Sequence, residues 1–352
     1  MTAWTSQQAG NWTRASNEAD SPWYDGGAQS ALSSYPGGAG AGDTVTIAAH
    51  AVTLDANPAN SIATITDSGN DGYITVATDR TLMLTGNPAI SSSTTSTSGF
   101  IRVATNTLTI VHDQGAGTVT VLQSASGRAI LTSSGGGLIA SNSGGTVMSG
   151  SAGTCLRHDS TGTYSVTGLV TASGECICIE HRGGTGTIAG NAVSSGQSGR
   201  ALVMVGGTCT LNGIPLYTGA GMPRYGTVST TAGTFIWTGA RTVSAGETCA
   251  MSFTSMTVTN FTDLALANAG KVLLYLAGAT LTLTRATFTN TTATAEMLEL
   301  AGGKITIIGP TIPAEEDVET GVEYGYSGDL QTGTLAAGGG APVFGGNIAR
   351  RV

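Results

Sequence analysis

Residues 174–191 read GECICIEHRGGTGTIAGN. Within this stretch Cys176, Cys178, Glu180, His181 and Arg182 crowd together, and such residue types build metal centres and nucleophile–base pairs. The same residues also form two short strand-like runs separated by a glycine-rich turn. The flanking sequence decides between these readings, because the pattern recurs.

A glycine opens a short run, and a second run follows a turn, in GYITVATDRTLMLTGN from Gly72, GFIRVATNTLTIV from Gly99, GRAILTSSGGGLIAS from Gly127 and GTCLRHDSTGTYSVTG from Gly153. After Gly174 the pattern returns at Gly199, Gly226, Gly246 and Gly270, and then at Ala295. GDTVTIAAHAVTLDAN from Gly42 is an earlier, eleventh copy. From Gly72 to Ala295 nine intervals cover 223 residues, about 25 each. A third, weaker run often follows, as in SIATITDSG at 61–69 and GTVTVLQSASG at 117–127.

Two or three short strands per period of about 25 residues, with glycine-rich turns and no helix between them, predict a single-stranded parallel β-helix of about eleven coils. A β-sandwich would need paired runs joined by NG or DG turns, and a propeller blade about 40 residues. Composition agrees with an all-β chain. Thr and Val favour strands, and 53 glycines among 352 residues oppose long helices. Charged residues make up only 10%, against about 25% in ordinary domains, while the 40% hydrophobic content argues for a folded chain.

The pattern divides the chain into an N-terminal cap or arm at 1–41, a β-helix at 42–310 and an extended C-terminal tail at 311–352. Trp4, Trp12, Trp23 and Tyr24 cluster at the start. Bulky aromatics there would cover the open first coil, or serve as a docking arm. In the tail, the cluster PAEEDVET at 313–320 shows no period.

A strand with one wet face should alternate apolar and polar residues. The runs CICI, ALVMV, KVLLYLA and EMLELA do not. They predict an outer face covered by a partner chain, most simply in a homotrimer, or by the long tail or a loop folded back over it. Interface candidates are therefore Trp4, Trp12, Trp23, Tyr24, Cys178, Val203 and Leu274, with Tyr324, Tyr326 and Phe344 in the tail. Glu175, Arg200, Glu247, Lys271 and Glu296 each follow an opening residue and are expected to stack as a charge ladder.

The densest chemical group is His158, Asp159, Glu175, Glu180, His181 and Arg182, on two adjacent coils. General acid–base cleavage of a glycan needs two positioned ionisable groups on one face, and these residues would make a plausible pocket. A polar strand edge would look the same, and no enzymatic activity, catalytic residue, cofactor or metal is expected. Cys155 and Cys176, aligned with Ala129 and Ala201, read as small buried fillers. The net charge of −8 gives no basic footprint for nucleic acid. No apolar run reaches about 20 residues, and MTAWTSQQAGNW lacks the basic and apolar parts of a signal peptide. Neither a membrane span nor export is expected.

Two segments resemble known proteins. GAGDTVTIAAHAVTLD at 40–55 is similar to the first coils of β-helical surface and virion proteins. PAEEDVETGVEYGYSGDLQTGTL at 313–335 resembles C-terminal stretches of tailed-bacteriophage structural proteins. The resemblance implies a right-handed β-helix in a virion. The chain would be a capsid cement or decoration protein, assembled in the host cytoplasm as a homotrimer and bound to the major capsid protein or another virion protein. A tailspike or fibre that binds or cleaves host glycans is the alternative, and a bacterial surface adhesin the second.

Overall fold

In the computed structural model the described residues are 2–308, apart from 16–17, 20, 26–33, 39, 70, 114–116, 141–144, 221–224, 239, 263–264, 269–270, 278, 285–286, 291–298 and 301–303. Beyond Val258 the described side chains are Phe261, Ala279 and Leu281. The tail candidates Tyr324, Tyr326 and Phe344, and Glu296 of the expected charge ladder, lie outside the described residues.

Every regular element among the described residues is a strand. The strands stack into three parallel ladders. The first ladder runs from Asp43–Ile47 through Thr146–Gly150 to Pro215–Tyr217. The second runs from Ala51–Leu54 through Arg128–Ser133, Thr154–Asp159, Ile177–His181 and Arg200–Met204 to Glu299–Leu300. The third runs from Arg80–Leu84 through Thr163–Val166, Thr185–Ile188 and Thr208–Leu211 to Thr234–Trp237. Successive coils visit the ladders in turn, so each strand pairs with its equivalent one period away. The result is a parallel β-solenoid with about seven turns, its three ladders joined in one 29-stranded sheet.

Local chemistry explains the period. Gly174 sits at φ +65°, the left-handed region that a side chain disfavours, so glycine suits the corner that begins its coil. Along each strand, alternate residues point inward. Ile74, Ile101, Ile130, Leu156, Ile179, Leu202 and Val228 pair in one buried row of the second ladder. Threonines occupy outward positions and stack on one another, as in Thr46–Thr66 and Thr53–Thr75, each with hydroxyl oxygens 3.3 Å apart.

In CICI the apolar run has an internal cause. In the second ladder the pairing skips the residue between Thr154↔Ile177 and Leu156↔Ile179, and both Cys155 and Leu156, then Cys178 and Ile179, are buried. Where the ladder is interrupted, two successive side chains enter the core. Cys178 therefore lies inside the solenoid rather than on an outer interface face. It stands level with Cys155 and Ala201, whereas the sequence alignment placed Cys176 there. Val203 does occupy the outer row, between Glu180 and Ser229, and is only 7% exposed within the single chain. Leu274 pairs with Met251; its side chain is outside the described set.

Trp4, Trp12 and Trp23 are buried in the core. Their indole nitrogens donate to Asp43 Oδ2 at 3.0 Å, Pro36 O at 3.0 Å and Trp12 O at 2.7 Å. Trp12 and Trp23 meet edge to face at 4.9 Å. Tyr24 is half-buried on a strand that pairs antiparallel with Ala3–Ser6.

Candidate functional site

The strands Thr154–Asp159 and Ile177–His181 hold the residues singled out from the sequence. Alternation sends them to opposite sides: His158 and His181 are inside and fully buried, while Arg157, Asp159 and Glu180 are outside. The barrier between them is the sheet itself. The six residues expected to form a pocket do not share one.

Inside, His158 pairs with His181 in the register, and their rings stack at 5.6 Å with planes 4° apart. His158 is hydrogen-bonded at both ring nitrogens. Gly162 O lies 3.2 Å from Nε2 and only accepts, so Nε2 carries the proton. Nδ1 lies 2.6 Å from Thr132 Oγ1 and, in the neutral ring, accepts from it. Burial pushes the His158 pKa down, against the Gly162 hydrogen bond and the charge of Asp159. His181 has neither ring nitrogen hydrogen-bonded among the described residues. Burial, and then the neighbouring His158, lower its pKa to about 4.

Tyr164 closes the column from the third ladder, edge-on to His158 at 5.0 Å and to His181 at 5.5 Å. Its inward row continues as Gly186 and then Cys209. A Cβ on Gly186 would fall 2.2 Å from Tyr164 Cζ. The missing side chain lets the phenol lie across one coil and meet the Cys209 thiol of the next, at 3.2 Å. This constellation was visible in the repeat. The equivalent segments GTYSV, GTGTI, GTCTL and GTFIW, from Gly162, Gly184, Gly207 and Gly233, carry Tyr, Gly, Cys and Phe at one position.

The thiols are equally enclosed. Cys155, Cys176 and Cys178 donate to the carbonyls of Ser149, Gly150 and Met148 at 2.8, 2.8 and 3.2 Å. Burial raises Cys176 and Cys209 each to about 12, so neither is a thiolate near neutrality. Among the described residues no group of three or more His, Cys, Asp or Glu is set to hold a metal ion.

Outside, Arg157 and Glu180 pair directly across the ladder, with Nη1 to Oε2 at 3.3 Å. Arg157 also reaches Asp159 at 3.1 Å, and Arg182 Nε reaches Glu180 Oε1 at 2.9 Å. The expected charge ladder has a different register. Arg200 pairs with Ile177, two residues past Glu175, and Lys271 pairs with Thr248 rather than Glu247. Arg200 instead lies 4.9 Å from the Tyr225 ring centroid.

Arg102, Arg128, Arg157, Arg182 and Arg200 come one per coil along this ladder, a concentration the sequence reading missed. Comparison with known proteins adds no assignment: no protein family, no curated protein and no solved structure matches the chain.

Proposed function

We propose that the chain is a non-enzymatic structural protein, a stiff rod whose job is mechanical. The observation that carries this reading is the use of its reactive groups. His158, His181, Tyr164 and the thiols fill the core, and the outer carboxylates Asp159 and Glu180 are engaged by arginines. In this reading the rod has eleven right-handed coils. The copies at Gly246, Gly270 and Ala295 support the count, since each leads into a second-ladder strand, and parallel crossovers are right-handed in nearly all known cases. Eleven coils at about 4.8 Å make a rod about 50 Å long.

The resemblance of residues 40–55 to β-helical surface and virion proteins, and of 313–335 to tailed-phage structural proteins, makes the surface of a tailed-bacteriophage head the setting. There the rod serves as a cement or decoration protein, a homotrimer fastened through its terminal segments, with the backbone ladders resisting deformation of the shell. Imaging of intact particles tests the proposal. Hundreds of copies on the head support it; about a dozen copies on the tail would identify a spike or fibre, and absence from particles would discard the virion setting.

A further inference from the structure

On the outer face of the second ladder, four arginines stand around two carboxylates. Arg128 lies in the field of Arg157, Glu180, Arg182 and Asp159, and Arg200 in that of Glu180. The cluster is net positive on a chain whose formal charge is −8. Arg182, whose side chain is 39% exposed, meets Glu180 through Nε alone among the described residues. Arginine donors of this kind match carboxylates, which accept paired N–H groups.

The chain carries a matching segment. Residues 313–329, PAEEDVETGVEYGYSGD, hold six carboxylates and no lysine or arginine. The last described strand ends at Ile308. From Glu299–Leu300 back to Thr154–Asp159 the second ladder makes six steps, about 29 Å at about 4.8 Å each. An extended chain covers that distance in about nine residues. Glu319 stands eleven residues beyond Ile308 and Glu323 fifteen, so both have the reach. Tethering to the same molecule also gives the segment an effective concentration in the range of about a millimolar, which favours it over a second copy in dilute solution.

We propose that the acidic segment 313–329 docks on the arginine stripe formed by Arg128, Arg157, Arg182 and Arg200 of its own chain. The docked segment covers this face, and an assembly partner of stronger negative charge has to displace it. The inference does not depend on the virion setting.

Amide hydrogen exchange of residues 313–329 in the full-length chain tests it, at about 50 mM and about 500 mM salt. One variant neutralises the segment (Glu315→Gln, Glu316→Gln, Asp317→Asn, Glu319→Gln), and the other the stripe (Arg157→Gln, Arg182→Gln). The segment variant changes no described residue, so loss of the solenoid does not explain its behaviour. The expected result is exchange slowed at least about tenfold in the parent chain, independent of protein concentration, with the slowing lost in both variants and at high salt. Unprotected exchange in the parent chain, or protection indifferent to the variants, overturns the proposal. Protection that disappears on dilution also overturns it, by assigning the stripe to the segment of a second copy.

Discussion

The two sides of the strands Thr154–Asp159 and Ile177–His181 both carry ionisable residues and differ in what surrounds them. Outside, Arg157 and Glu180 face each other as a partly exposed ion pair at 3.3 Å. Inside, His158 and His181 occupy the row that holds Val103 one side of Thr132 and Met204 beyond, and burial keeps them neutral. A residue type alone therefore says little about chemistry in a solenoid. The side of the sheet decides it, and one interruption in the ladder changes the side.

The steric half of this contrast has the largest expected effect. Gly186→Ala places a methyl group within the Tyr164 ring, and neither the ring nor the adjoining coil has room to yield. A loss of about 3 kcal/mol or more is expected in chemical denaturation, because overpacking beside a rigid ring forces the backbone to move. Tyr164→Ala combined with Gly186→Ala should recover part of that loss, since it removes the clash.

The electrostatic half appears as pH dependence. The unfolded chain protonates His181 near its ordinary value of 6.5, the folded chain only near about 4. Between those values the unfolded state binds more protons, so stability is full above about 6.5 and falls as the pH drops toward about 4. The loss reaches roughly 3 kcal/mol from this residue. His181→Met, which extends the Met204 side of the row, should flatten that slope and leave the shallower contribution of His158. An unchanged slope would place the proton uptake elsewhere.

The smallest effect belongs outside. Glu180→Ala leaves Arg157 and Arg182 without this carboxylate and should cost about 1 kcal/mol at low salt. The cost should shrink as salt rises, in contrast to the salt-insensitive interior changes. Urea midpoints at two ionic strengths read the difference.

How much of this was legible follows from which signals are local. The period and the parallel stacking could be read from the glycines, because a corner such as Gly174 demands a conformation few other residues accept. The burial of Trp4, Trp12 and Trp23 fits a covered first coil for the same reason: large apolar surface near a chain end has to be buried somewhere. The facing of CICIEH was not legible. Strict alternation would put Cys178 outside, but the skipped pairing turns it inward together with Ile179. That single step accounts for the apolar run CICI, while alternation alone breaks the apparent pocket by sending His181 inward and Glu180 outward. The Tyr164–Gly186–Cys209 row was present in the repeat, yet only the register of neighbouring coils gives it meaning. The arginine stripe is likewise invisible along the chain, since its members stand 18 to 29 residues apart and meet only when coils stack.

The measurement closest to the central claim, that the histidines are core and not a site, is an NMR titration of the His181 imidazole in the full-length chain. The account predicts a ring that stays neutral until the pH falls to about 4. A reversible titration near 6.5 with the solenoid intact would put His181 in contact with solvent and contradict it.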